Sequence, residues 1–383
     1  MQIREIDNYT DFLSLRERWN NTLNKCDHTV FSTWEWLTIW WKHFGNDKRL
    51  MILLAEENDT ILGIAPLMYS VHKMFGLRMG KIEFVGAPAS DYNDFLLTDR
   101  KEECIKAFVE HLSKYPEKWD CIQLTDIRQI SEYIKLLSKT SRDVHVAGTS
   151  LLYDCPYIPL PKSFDTYFSS LTSNFRYNLR RGLRQLQKKY AVEFKEYSNL
   201  ESFREGIIML FKLHQNRWEA KNKPGIFSDN KAREFHLDIA KSFSERGWLG
   251  LSSLLVDGKA VASLYGFKYG SRFYAYIAGM YSAFYRYGVS NLLLLHNIEK
   301  NIEEGLTEVD FLRGGEPYKY RWKALDRSNF ETILIRKGLL PRIRNWLSSN
   351  YWTNADRLNT FLRCNKKRYC VSLVTQIANR INK

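Results

Sequence analysis

The residues best placed by type and order to do chemistry lie in the segment 281–323. A loop, 281–288, runs into Ser290 and a helix-forming stretch, 291–304. A serine hydroxyl at that point can cap the helix, and the free backbone N–H groups of the first turn form a ready site for an anion. Tyr287, Gly288, Val289, Ser290 and Asn291 are therefore the candidate grip on a ligand diphosphate, and Gly305 closes the helix. A short apolar strand, 308–312, follows. Next comes Arg313-Gly314-Gly315-Glu316-Pro317-Tyr318-Lys319-Tyr320-Arg321-Trp322, which sets cations and phenols just past a strand end, where α/β sheets hold their chemistry.

Other side chains could move protons or hold a substrate. His214 shares a helical stretch with Arg217 and Trp218 and titrates near neutrality, so it is a candidate base; the alternative is a histidine that packs and hydrogen-bonds. Asp310, at the strand end, could take an amine proton or orient another group, or pair with Arg313. Arg313 and Lys319 read as anion binders, against ordinary pairing with Glu316. In the first half, Asp91, Tyr92 and Asp94 follow Gly86-Ala-Pro88. Short polar residues there favour a turn, yet two carboxylates with a phenol facing a cleft would hold an acceptor's hydroxyls or amine. Trp34, Trp36, Trp40 and Trp41 could stack on a sugar, but most read as core because their spacing is helical.

The elements that must position these groups recur. Residues 51–57, Asn58-Asp59 and 60–69 read as a hairpin, and so do 251–256, Asp257-Gly258 and 260–268. Each is followed by a further strand, a helix and a short strand: 101–114 then 120–124, and 291–304 then 308–312. That order predicts two copies of one α/β unit, joined near 148–162, where Cys155-Pro156 and Pro159-Leu-Pro161 break regular structure. The second half opens on Phe164, Phe168, Leu171, Phe175, Leu179, Leu183 and Leu186 at helical spacing, with Arg176, Arg180 and Arg184 as a stripe and Ser173 as a restart point. A strand at 192–197 and a capping box at Ser198-Asn-Leu-Glu201 lead to the helix bearing His214, which Lys223-Pro224-Gly225 ends.

Composition excludes several classes. At 383 residues and 44% hydrophobic, the chain can bury more than one core. Its six cysteines show no C-x-x-C pair, so neither a zinc site nor a disulfide framework is indicated, no metal is expected and a reducing cytoplasm fits. No apolar signal core opens the chain and no uncharged run spans a bilayer, which predicts a soluble protein. The net charge of +14 is uneven: the segment 336–383 has eleven Lys and Arg against Asp356 alone. A second basic run comprises Arg176, Arg180, Arg181, Arg184, Lys188 and Lys189. Such runs suit phosphates, anionic lipids or nucleic acid, or are solvated faces without a partner.

The arginine-rich helix at 171–186, His214-Gln-Asn-Arg217-Trp218, the Asp257-Gly258 hairpin, Tyr274-Ala-Tyr276 and Asp310-Phe-Leu-Arg313-Gly314 with Tyr318-Lys319 together resemble the GNAT-fold acyltransferases of the CelD/BioF-like group, the acetyltransferase-6 type, relatives of the Fem-type aminoacyltransferases. The resemblance covers roughly 164–336. In the first half, Trp34-Glu-Trp36 and Ser90-Asp91-Tyr92-Asn93-Asp94-Phe95 are similar to the paired first unit of the same group. It implies an α/β protein of two tandem GNAT-like units, with mixed, mostly antiparallel sheets flanked by helices. Their expected bounds are 1–155 on the acceptor side and 156–340 for the acyltransferase unit, with a basic amphipathic helical tail at 341–383. The resemblance further implies acyl transfer from an acyl-CoA thioester, acetyl-CoA first, to an amine or hydroxyl of a glycan precursor or amino sugar in a cleft between the units. Backbone N–H groups near Ile277 and Ala278 would hold the oxyanion, Tyr318 would protonate the leaving sulfur unless its ring only covers the core edge, and Tyr276, Arg217 and Trp218 would line the acceptor side. Only one glycine stands in Tyr285-Arg286-Tyr287-Gly288-Val289-Ser290, where the group usually has a fuller glycine-rich loop.

Three other readings stay open. Fem-type relatives imply an aminoacyl-tRNA donor. A nucleic-acid binder would use the basic runs with Phe175, Tyr177 and Tyr190, and a duplicated fold without catalysis would serve as a scaffold in polysaccharide assembly. The tail, with Trp346 and Tyr351 among its apolar positions, could lie on an anionic membrane and meet a lipid-linked glycan acceptor, or pack on the enzyme body.

Overall fold

The computed structural model describes residues 1–74, 77–114, 119–128, 144–220 and 222–336. The basic tail expected at 341–383 lies outside the described residues. Fourteen strands are described: β1 (Gln2–Ile6), β2 (Arg49–Glu57), β3 (Thr60–Met74), β4 (Leu77–Phe84), β5 (Leu96–Leu97), β6 (Cys121–Arg128), β7 (Val144–Asp154), β8 (Tyr157–Pro159), β9 (Val192–Glu196), β10 (Leu249–Val256), β11 (Lys259–Tyr269), β12 (Arg272–Met280), β13 (Glu308–Asp310) and β14 (Ser328–Arg336). They form two sheets, one ordered β1-β2-β3-β4-β6-β14-β7 with β5 on β3, the other β8-β13-β12-β11-β10-β9.

The described residues separate into a unit of 1–152 with 329–336 and a unit of Tyr153–Ser328. The sequence reading carried the second unit to 340. Strand β14 instead pairs antiparallel with β6, Ile333 opposite Gln123 and Ile335 opposite Cys121, so the chain returns to the first sheet. Periodicity cannot reveal which sheet an apolar strand joins, because any open sheet edge of matching register will serve.

The expected duplication is present in detail. Asn58 and Asp59 take φ of 49° and 60°, and Asp257 and Gly258 take 50° and 74°, so both hairpins close through left-handed two-residue turns. Each hairpin has a register irregularity at the same place, between Ala55 and Glu56 and between Leu254 and Leu255. Each unit then adds an antiparallel strand, a helix (Lys101–Ser113 or Val289–Glu303) and a strand parallel to the previous one, β6 beside β4 and β13 beside β12. Ahead of both hairpins a short 3-10 turn, Val30–Ser32 or Ile226–Ser228, is followed by a residue whose side chain caps the next helix, Thr33 on Trp36 N and Asp229 on Lys231 N. The match of Val-Phe-Ser-Thr to Ile-Phe-Ser-Asp is the sequence signal of the repeat that hairpin spacing alone does not use.

In the second unit, apolar residues of Phe164–Ser170, Ser173–Gln187 and Val289–Glu303 pack on one sheet face around Phe175, Leu179, Leu186, Leu264, Phe273 and Leu293. The other face carries the helices Phe203–Glu219 and Asn230–Glu245. After the interruption of the helix at Leu171, the second segment is capped by Thr172, whose side chain accepts from Phe175 N, rather than by Ser173. The capping box at Ser198 does not form: its hydroxyl takes Leu251 N at 3.4 Å, and Asn199 Oδ1 accepts from Ser202 N at 2.9 Å. Trp36 and Trp40 are core, as their spacing predicts.

Candidate active site

Strand β12 lies inside its sheet, yet residues 275–278 along its middle are all partly exposed. The cause is a splay. Its parallel pairing with β13 runs only from Arg272 opposite Glu308 to Tyr274 opposite Asp310, while β12 continues to Met280 against β11 alone. A bulge sits at the fork, since Tyr265 faces Ile277 whereas Gly266 faces Ala275, leaving Tyr276 as the extra residue. Ile277 and Ala278 therefore lie on the length of β12 that β13 has left.

Just past β12 the backbone makes a 3-10 turn, Ser282–Tyr287, then Gly288 at φ 67°, then the helix Val289–Glu303. Ser290 does not cap this helix, contrary to the sequence reading. Gly288 is the cap residue, no side chain caps the first turn, and the Ser290 hydroxyl points back to Met280 Sδ at 3.0 Å. The physical reason is that a left-handed glycine can start the helix two residues early, a conformation a β-carbon resists. The uncapped turn is what an anion site requires, and a β-carbon on Gly288 would meet nothing closer than Asn291 Nδ2 at 3.9 Å, so the space is open. The side chains of Tyr287 and Val289 are buried core, so any grip here is by main chain.

The turn is braced from behind. On Gly182 of the arginine helix, a β-carbon would stand 2.5 Å from the Tyr287 carbonyl oxygen, so only glycine lets that helix approach. A lone glycine inside an arginine-rich helical run is the sequence signal for this close approach.

At the end of β13 the groups are locked to one another. Asp310 is fully buried; its Oδ1 accepts from Leu312 N at 2.8 Å and its Oδ2 from Arg327 at 3.1 Å. Arg327 also donates to both Glu308 oxygens, at 3.1 and 2.9 Å. The expected partner, Arg313, instead lies over the Tyr153 ring at 5.5 Å. A carboxylate held this way is a structural anchor rather than a base. Arg327 lies beyond the sequence motif and nothing local marked it.

Lys319 is likewise not an available anion binder. It is 3% exposed, and its ammonium donates to the carbonyls of Leu312, Arg313 and Gly314 at 3.2, 3.1 and 2.7 Å and meets Glu316 at 2.9 Å. It closes a loop in which Leu312 and Gly314 take φ of 57° and 105°. The next residue back, Tyr318, is 46% exposed, and burial of its phenol together with the charge of Glu316 raises its pKa, while Arg217 opposes. The charge of Arg217, about a hundred residues away in sequence, is thus felt at the Tyr318 phenol.

His214 sits beneath the splayed strand, its backbone N 2.4 Å from where a Gly279 β-carbon would be. The Trp218 indole donates to His214 Nε2 at 2.9 Å, so the neutral ring carries its proton on Nδ1, which is buried against Gly225. Desolvation, with Arg217 adding, lowers its pKa to about 4. A ring with Nε2 engaged and Nδ1 enclosed is a packing histidine, so the structure sets aside its reading as base. Trp218 acts by orienting it. Tyr276 packs near His236, Tyr265 and Phe267 at 5.6, 6.1 and 5.2 Å.

In the first unit, Asp91 and Tyr92 are buried, at 4% and 1% exposure. The Asp91 carbonyl accepts from Asn329 Nδ2 at 2.7 Å, and Tyr92 packs on Phe31 and under Arg128. Both side chains are buried within the first unit, which leaves little of either to meet an acceptor. Asp94 accepts from its neighbour Phe95 N at 2.8 Å, and desolvation, against the pull of Arg128, raises its carboxyl to about 6. Among the described residues no cluster of His, Cys, Asp or Glu is arranged to hold a metal, and no helix is long and apolar enough to cross a membrane.

Residues 173–320 match the family described as an acetyltransferase (GNAT) domain. No curated protein sequence matches the chain. Among solved structures, FemX is similar with a TM-score of 0.61 at 11% identity, over 86% of this chain and 97% of that one. A conserved protein of unknown function from Bacteroides thetaiotaomicron VPI-5482 gives 0.56 at 11% identity, over 88% and 100%. L-PGS from Bacillus licheniformis gives 0.51 at 12%, over 88% and 95%.

Proposed function

We propose, from the premise that residues 173–320 are an acetyltransferase domain of the GNAT family, that this domain moves an acyl group from an acyl-CoA thioester to an amine or hydroxyl. One observation carries the reading: β12 parts from β13 after Tyr274 and Asp310, and the uncapped helix start at Gly288 follows directly. A splayed parallel pair offers main-chain groups to an extended chain lying in the fork, while the helix start suits the diphosphate at its end. The residues fit that group, because the turn is open above Gly288 and no side chain competes for the first amides.

Acyl-CoA would supply an activated carbonyl and a thiolate leaving group. Neighbouring amides of a strand point to opposite sides, so whichever of Ile277 and Ala278 faces the fork rather than β11 would donate to the carbonyl oxygen as charge develops on it. Tyr318 returns a proton to sulfur; its raised pKa keeps the phenol protonated at neutral pH, as a proton donor must be. Arg217 beside it draws the phenol's proton affinity down toward the working range. Water relays the amine proton, since Asp310 and His214 are both committed elsewhere. The acceptor as a glycan precursor or amino sugar, lipid-linked or soluble, rests on family resemblance. An aminoacyl-tRNA donor, the Fem-type alternative, would leave acyl-CoA thioesters without effect on the protein.

A thermal-shift series of acyl-CoA thioesters on the wild type, Gly288→Asp and Tyr318→Phe separates the parts. The reading expects stabilisation of the wild type, loss of it in Gly288→Asp, and normal binding with slow turnover in Tyr318→Phe. Full stabilisation of Gly288→Asp would show that the phosphate site is misplaced, and wild-type turnover of Tyr318→Phe would remove it as the acid.

A further inference from the structure

The helix Ser173–Gln187 carries more than its glycine contact with the phosphate turn. An open depression of about 470 Å³ on its surface is lined by Ser173, Arg176, Tyr177, Arg180, Leu183 and Arg184. Three guanidiniums four residues apart form one row, rising about 6 Å per step. No carboxylate among the described residues pairs with any of them. Two of the three are already oriented. Arg176 donates to the carbonyls of Ser169 and Leu171, both at 2.6 Å, and Arg180 lies over the Phe168 ring at 5.0 Å. Pre-orientation matters because ordering a long side chain is one of the larger costs of binding an anion on a surface. The Tyr177 phenol, 55% exposed, and the Ser173 hydroxyl add donors at the rim, and Leu183 forms part of the floor.

The helix also links both ends of the proposed transfer site. Phe175 packs edge-on against Trp322, 4.8 Å between centroids, just after the Tyr318 segment, and Gly182 abuts the Tyr287 carbonyl at the helix start.

We infer that this depression is a second anion site, distinct from the turn at Gly288, which receives a phosphate or diphosphate group carried by the acceptor. The inference rests on the transfer reading above for the word acceptor, but not for the site itself. A fork of guanidinium groups matches phosphate oxygens in pairs, which a lysine patch would not. The depression is open rather than enclosed, which suits a group at the end of a larger molecule.

Titration of the full chain with inorganic pyrophosphate, and co-sedimentation with vesicles of phosphatidylglycerol against pure phosphatidylcholine, tests it. The wild type is compared with Arg180→Gln/Arg184→Gln and with Gly288→Asp; Arg176 is left intact because it ties the helix junction. The expected result is pyrophosphate or phosphatidylglycerol binding weakened roughly tenfold or more in the double arginine variant, with acyl-CoA stabilisation unchanged. Loss in the pyrophosphate arm identifies a soluble phosphorylated acceptor, and loss confined to the vesicle arm identifies a lipid one. Equal binding by wild type and double variant in both arms overturns the site. Loss of acyl-CoA stabilisation in the double variant also overturns it, by making the depression part of the donor grip. Arginine-dependent binding of an oligonucleotide without either phosphate effect would assign the face to nucleic acid instead. If acyl-CoA fails to bind even the wild type while pyrophosphate binding still needs Arg180 and Arg184, the transfer reading falls and the anion site stands.

Discussion

Replacing Lys319 with methionine removes the ammonium that three carbonyls share. The side chain is 3% exposed, and its contacts with Leu312, Arg313 and Gly314 run from 2.7 to 3.2 Å, so methionine fills the volume but donates nothing. A hydrogen bond from a charged donor contributes roughly 1.5–3 kcal/mol. The three are not additive, and some carbonyls regain water, so about 3 kcal/mol is a reasonable total. The Glu316 contact adds little, because that carboxylate is 55% exposed and screened. For a unit of this size, 3 kcal/mol lowers Tm by about 6–12 °C. The catalytic effect comes through position: Tyr318 precedes Lys319, and a displacement near 1 Å costs about a hundredfold in rate. Circular dichroism melting and a thiol-release assay should therefore show a lower Tm and a lower kcat together, with KM for the thioester little changed. Lys319→Arg keeps the charge but cannot converge on three carbonyls, and should fall between. A methionine variant with wild-type Tm and a collapsed kcat would refute the clamp, because it would mean that the ammonium acts directly on the reacting groups. A lowered Tm with wild-type kcat would refute the link to Tyr318.

Three further outcomes are expected. Gly182→Ala places a β-carbon 2.5 Å from the Tyr287 carbonyl and should push the phosphate turn out of place, raising KM for the thioester several-fold and lowering Tm; unchanged kinetics would show that the turn needs no brace. His214 has a folded pKa of about 4, below its unfolded value near 6.5, so the unfolded state takes up the proton first and stability is lost as pH falls from about 6.5 to about 4, by up to ~3 kcal/mol. Urea midpoints of His214→Gln across that range should fall less steeply than those of the wild type, and a variant that folds normally but loses turnover without a change in KM would restore the histidine as base. Asp94 has a folded pKa raised to about 6, so its ionisation costs stability that grows from about pH 4 and is complete above pH 6. Asp94→Asn should raise the melting temperature at pH 7.5 and have least effect at pH 4; equal effects at both would show that the carboxyl is not desolvated.

Much of the architecture was legible because it is local. Asn58-Asp59 and Asp257-Gly258 impose left-handed turns whatever surrounds them, and the strands on either side follow from alternation. The helices Lys101–Ser113 and Val289–Glu303 fall within two residues of their expected starts, since apolar spacing is a property of the segment itself.

The site was legible only in outline. The sequence by itself determined that a helix follows the aromatic strand and its glycine-bearing loop, and that phenols and cations follow the next strand, because chain order fixes which element comes after which; that the helix opens on Gly288 rather than Ser290 came from the backbone conformation. Only the tertiary structure decided what those side chains are free to do. Asp310 met Arg327, Lys319 turned inward to three carbonyls, His214 accepted a hydrogen bond from the Trp218 indole, and Asp91 and Tyr92 went into the core. A charged or polar group removed from water must find partners, and the nearest suitable ones come from segments whose distance along the chain says nothing of their distance in space.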